Sequence, residues 1–63
     1  MAITLRAARM NKGYDQDQAA KLLGISSDTL SNYERAKSFP DVRVIKKMEE
    51  VYGVKYDDIN FLL

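Results

Sequence analysis

Apolar residues recur along this chain at spacings of three and four, the rhythm of helices with one buried face. Ala19, Ala20 and Leu23 form one such stripe, and Val44, Ile45, Met48, Val51 and Tyr52 form a longer one. Gly13, Gly24, Pro40 and Gly53 cut the chain into pieces of helical length. The pattern predicts helices over about 3–12, 16–23, 27–35, 42–52 and a short last one over about 56–61, with Ile59 and Leu62 as its anchors. No stretch sustains period-two alternation, so no strand is expected. The expected fold is all-α, a compact five-helix bundle forming a single domain over residues 1–63.

Local chemistry sharpens the boundaries. Asp15, Ser26 and Asp41 each precede a predicted helix, and their side-chain oxygens suit the free N–H groups of a first turn. Gly13, Gly24 and Gly53 fall just past predicted helix ends, where a left-handed residue closes the helix. Phe39, before Pro40, is expected to be extended. On the third helix, Ser27, Asp28, Ser31, Asn32 and Arg35 form a stripe composed of polar groups alone.

The second and third helices are joined by three residues, Gly24-Ile25-Ser26. Two helices meeting at a steep angle need a small residue at their close approach, a turn residue tolerant of positive φ, and apolar plugs beneath. Ala20, Gly24, and Ile25 with Leu30 meet those needs. Counted from Gln16, the small residue is fifth, the glycine ninth, the aliphatic fifteenth and the aromatic Tyr33 eighteenth. This is the spacing of a helix-turn-helix over Gln16 to Arg35.

Composition narrows the function. A chain of 63 residues buries only about 60% of its unfolded surface, and without cysteine or histidine it has no disulfide and few zinc ligands. No metal, cofactor or small-molecule ligand is expected. No apolar run approaches the ~18 residues of a membrane span, so a cytoplasmic protein without a membrane partner is expected. An enzyme is not: there is no phosphate-binding glycine loop, and the adjacent acids Asp57 and Asp58 diverge by about 100° on a helix. The net charge of +1 hides a polarised distribution. Residues 1–48 hold nine Lys and Arg against five Asp and Glu, whereas residues 49–63 hold one against four. A basic body can present one attractive face to phosphate, although the same charges also serve as an ordinary solvated surface.

The chain resembles the Xre/Cro type of phage-repressor-like regulators. The matching residues are Leu5-Arg6 and Arg9, Gly13-Tyr14-Asp15-Gln16, Ala19-Ala20, and Leu23-Gly24-Ile25-Ser26. They continue through Leu30-Ser31-Asn32-Tyr33-Glu34, Pro40, Ile45, Met48, Tyr52-Gly53-Val54 and Asp58-Ile59. The resemblance implies a lambda-repressor-like domain that binds double-stranded DNA, with the recognition helix, about 27–35, in the major groove. Ser27, Asp28 and Asn32 are then the implied base readers. Gln16, Thr29, Ser31, Arg35 and Lys37 are the implied backbone contacts. Asn32 suits the paired contact to adenine. Asp28 suits cytosine N4, or else only favours the positive end of its helix. Arg9 and Glu34 are implied to form a structural ion pair between helices 1 and 3.

Two residues depart from this pattern. Ala36 stands where the family often has glycine, and Asp17 places negative charge near the expected phosphate-facing end of helix 2. Family members usually act as dimers on two-fold symmetric sites, which implies a homodimer. Tyr56, Phe61, Leu62 and Leu63 are the candidate interface, unless they only close the core. The expected function is a phage- or prophage-type repressor. The competing one is a protein-interaction module on the same fold, such as an antitoxin or anti-repressor.

Overall fold

The computed structural model describes residues 2–61. Four α-helices follow one another: α1 (Leu5–Asn11), α2 (Gln16–Leu23), α3 (Ser27–Glu34) and α4 (Val42–Tyr52). A two-residue strand β1 (Ile3–Thr4) precedes them, and a single 3-10 turn (Tyr56–Asp58) and strand β2 (Ile59–Asn60) follow.

Each helix begins where a side chain can take up a free N–H. Thr4 Oγ1 accepts from Ala7 N at 3.1 Å, Ser26 Oγ from Thr29 N at 3.1 Å, and Asp41 Oδ1 from Val44 N at 3.0 Å. Asp15 makes a reciprocal cap: its Oδ1 accepts from Gln18 N at 2.7 Å, while Gln18 Oε1 accepts from Asp15 N at 2.9 Å. Between α2 and α3, Gly24 lies at φ +75° and turns the chain sharply.

Leu5, Ala8, Ala19, Ala20, Leu23, Leu30, Met48, Tyr52 and Ile59 make the core. Leu5 and Ala8 come from α1, Ala19, Ala20 and Leu23 from α2, Leu30 from α3, and Met48 and Tyr52 from α4, so no helix can be lifted off without exposing it. Ile25, below the turn, and Val44 and Val51 of α4 are half-buried against it.

Several expectations are corrected. The fold is not a five-helix bundle: the last predicted helix, 56–61, is a 3-10 turn that ends at Asp58 and gives way to extended chain at Ile59 (φ −97°, ψ 128°). Its start is held by Glu49 Oε2, which accepts from Tyr56 N at 2.8 Å. Strands are present, since β1 pairs in parallel with β2, Ile3 opposite Ile59 and Thr4 opposite Asn60. A two-residue ladder is too short to show alternation, and Ile59 reaches the core from it. Helix 1 begins at Leu5 rather than Ile3, because Thr4 is its extended cap, and helix 3 ends at Glu34, with Arg35 beyond it. Leu62, offered as an anchor, lies outside the described residues.

Candidate nucleic-acid interface

Packing of α1, α2 and α3 brings one charged pair inside. Arg9 Nε donates to Glu34 Oε2 at 2.8 Å and Arg9 Nη2 donates to Glu34 Oε1 at 3.2 Å, a two-pronged contact between α1 and α3. Arg9 Nη1 also donates to the Tyr14 carbonyl at 3.0 Å, which ties in the α1–α2 turn. Both side chains are buried, and the hydrogen bond to Glu34 pushes the Arg9 pKa up. Gln16, placed by the sequence among the backbone contacts, joins this pair: its Nε2 donates to Glu34 Oε1 at 3.3 Å.

Above the pair lies an open cavity of about 460 Å³, lined by Arg6, Arg9, Gln16, Ser31, Glu34 and Arg35. The exposed Arg6 of α1 and Arg35 past the end of α3 rim it. Arg6 was missed as a candidate from the sequence. The available signal was its spacing, one helical turn before Arg9. Two exposed guanidinium groups beside the half-buried Ser31 hydroxyl suit a phosphate-like anion.

The polar stripe of α3 opens beside that cavity. Asp28 and Arg35 are exposed, while Ser27, Thr29, Ser31 and Asn32 are half-buried. Several of these groups are already oriented by neighbours. Ser27 Oγ donates to Asp17 Oδ1 on α2. Ser26 Oγ donates to Thr29 Oγ1 at 2.8 Å. Arg35 Nη2 donates to Asn32 Oδ1 at 3.4 Å, a long contact that leaves the Asn32 amide N–H groups for an outside partner. Lys37 is exposed in the loop after α3, away from the cavity lining. Asp28 stands in the first turn of α3, where its charge favours the positive helix end.

The proposed dimer residues divide. The rings of Tyr56 and Phe61 meet at a tilt of 37° with centroids 5.7 Å apart, and together with Phe39, Pro40 and Ile45 they line a cavity of about 210 Å³. Leu62 and Leu63 lie outside the described residues. Among the described residues, no helix is long and apolar enough to cross a membrane.

Comparison with known proteins gives the same motif. The family described as Helix-turn-helix matches residues 5–59. The chain is 42% identical over 53 residues to the HTH-type transcriptional regulator ImmR of Bacillus subtilis, covering 84% of this chain and 42% of that protein. It is 36% identical over 53 residues to the SPbeta prophage-derived HTH-type transcriptional regulator YonR of the same organism, covering 84% of this chain and 49% of YonR. The HTH-type transcriptional regulator YazB, also from Bacillus subtilis, is 36% identical over 55 residues, 87% of this chain and 80% of YazB. The chain thus spans less than half the length of ImmR and of YonR. No solved structure shows a significant match.

Proposed function

We propose that this chain, which belongs to the helix-turn-helix family of Xre type, is a sequence-specific regulator of transcription, a repressor of phage or prophage type acting on double-stranded DNA in the cytoplasm. The observation that carries the reading is the pairing of a polar α3 face with an arginine-rimmed cavity on one side of the molecule. α3 enters the major groove, where Ser27, Asp28 and Asn32 meet base edges. Arg6 and Arg35 grip backbone phosphate at the cavity rim, with Gln16, Ser31, Thr29 and Lys37 completing the backbone contacts. Two copies bind a two-fold symmetric operator, with Tyr56 and Phe61 at their junction and Leu62 and Leu63 in the same segment.

The test is selection of binding sites from random duplex DNA, followed by titration of the selected site at several salt concentrations. Binding should weaken with slope about −0.9 in log affinity per phosphate neutralised. Asn32→Ala should cost roughly 1–3 kcal/mol and relax preference at one base pair, whereas Arg35→Ala should weaken all sequences alike and reduce the salt slope by about one. Failure to enrich any sequence, together with binding of a protein partner through the α3 face, would mark an interaction module instead.

A further inference from the structure

We propose that Asp17 determines what Ser27 reads: by holding the Ser27 hydroxyl proton it makes the head of α3 an acceptor-only surface, selective for an amino-bearing base, cytosine or adenine, over guanine or thymine at the position it faces. The inference rests on α3 being the DNA-reading helix.

A serine hydroxyl has one proton and two lone pairs, and in free solution it adapts to either kind of partner. Here Ser27 Oγ donates to Asp17 Oδ1, across the turn from α2. An ionised carboxylate can only accept, so the direction of that bond is fixed. Ser27 is left with lone pairs alone to offer outward. The next residue, Asp28, is exposed and also accepts only. Two successive positions at the head of α3 therefore ask for donors.

In the major groove the donors are the amino groups on cytosine N4 and adenine N6. Guanine O6 and N7 and thymine O4 are acceptors, and facing them would set lone pair against lone pair with no proton between. Thr29, the next residue, has the opposite character. It accepts the Ser26 proton at 2.8 Å and so keeps its own proton for an acceptor such as a phosphate oxygen. The side chains at this end of α3 are thereby sorted, acceptors for bases and a donor for backbone. This also gives a role in recognition to Asp17, whose charge otherwise favours the positive end of α2 and repels phosphate. Repulsion lowers affinity for any DNA, while the locked proton favours the right one.

Asp17→Asn supplies the test. Its carboxamide can turn its N–H groups toward Ser27 Oγ and release the serine proton. Binding sites are selected from random duplex DNA with wild type, Asp17→Asn, Ser27→Ala and the double variant, and affinities are measured on the selected site and its single-base changes. Wild type should prefer an amino-presenting base at one position by about tenfold. In Asp17→Asn that preference should fall below about threefold at that position alone, while affinity for unrelated DNA rises. Ser27→Ala should lose the same preference, and the double variant should lose no more than either single one. Melting curves check folding, and Ser27→Ala probes the same position should Asp17→Asn unfold.

An affinity gain in Asp17→Asn that is equal for all sequences, with the preference intact, would overturn the proposal, as would a wild-type preference for a keto oxygen there. Either result leaves α3 as the reader, provided Asn32→Ala still relaxes its own base pair. If neither Ser27→Ala nor Asn32→Ala changes any preference, the reading of α3 falls as well.

Discussion

Tyr52 is among the largest fully buried side chains of the core, yet its hydroxyl has no hydrogen-bond partner among the described residues. Burial, and then the nearby Glu34 carboxylate, push its pKa up to about 12 from the ordinary 10.0. An unsatisfied buried hydroxyl costs about 1–3 kcal/mol, so Tyr52→Phe should raise stability by about 1 kcal/mol, a melting gain of roughly 4–8 °C. The same substitution has a signature in pH. The folded protein holds the Tyr52 proton more tightly than the unfolded chain, so this contribution to stability is intact below the unfolded value and is lost as pH rises through about 12. Wild type should lose roughly 2–3 kcal/mol across that window through this group, and Tyr52→Phe should lack that part of the slope in denaturant titrations. Equal slopes would show that folding leaves the Tyr52 proton no more tightly held than in the unfolded chain. At this scale the sequence spoke through only some residues. The Arg9–Glu34 pair was implied by resemblance, because 25 positions separate its partners and no local pattern joins them. The Asp17–Ser27 and Gln16–Glu34 bonds, over 10 and 18 positions, arise from the packing of α2 against α3 and had no signal of their own.

The helices close their C-terminal ends in one way three times over. After α1, Gly13 N donates to Met10 O at 2.9 Å and Tyr14 N to Arg9 O at 3.3 Å; after α2, Gly24 N donates to Lys21 O at 3.2 Å and Ile25 N to Ala20 O at 3.0 Å. After α3 the corresponding bonds are Ala36 N to Tyr33 O at 3.2 Å and Lys37 N to Asn32 O at 2.9 Å. The geometry demands a left-handed residue, and at the third site it is Ala36, at φ +57°. A β-carbon there costs roughly 1–2 kcal/mol, part of which glycine gives back through a freer unfolded chain. Ala36→Gly should therefore stabilise by roughly 0.5–1 kcal/mol, and Ala36→Val should destabilise, both read from denaturant midpoints. Helix ends and caps were readable because capping is decided within four residues. The strands and the 3-10 turn were not, since Ile3 and Ile59 pair from opposite ends of the chain, beyond the reach of any local pattern. Tyr56 to Phe61 also carries apolar residues at helical spacing, which suit an extended segment just as well once Ile59 turns inward.

At the scale of the molecule, the Cα extents are 27 × 23 × 19 Å. Half-sites one helical turn apart on DNA are separated by about 34 Å, more than the longest dimension of one copy. On the proposed reading a single chain would place one α3 in one groove segment, and a two-fold symmetric operator would need a second chain. Phe39, Val42 and Tyr56 are exposed, at 62%, 67% and 50%, and line two neighbouring cavities that share Ile45 and Tyr56, the surface proposed for the second copy. Tyr56 packs as a tilted ring pair with Phe61 beside them, outside the buried core, so Tyr56→Ser should cost roughly 0.5–1.5 kcal/mol of stability and leave the domain folded. It should nevertheless weaken binding to a full operator by on the order of tenfold, the effect of losing about 1.4 kcal/mol of contact between copies. Binding to an isolated half-site should be unchanged, because Tyr56 lies on the segment after α4 and is absent from the cavity lining beside α3. Gel-shift titrations on the two DNA lengths, with sedimentation to count chains per duplex, give both numbers. One chain per full operator, or equal loss on both lengths, would place the junction elsewhere.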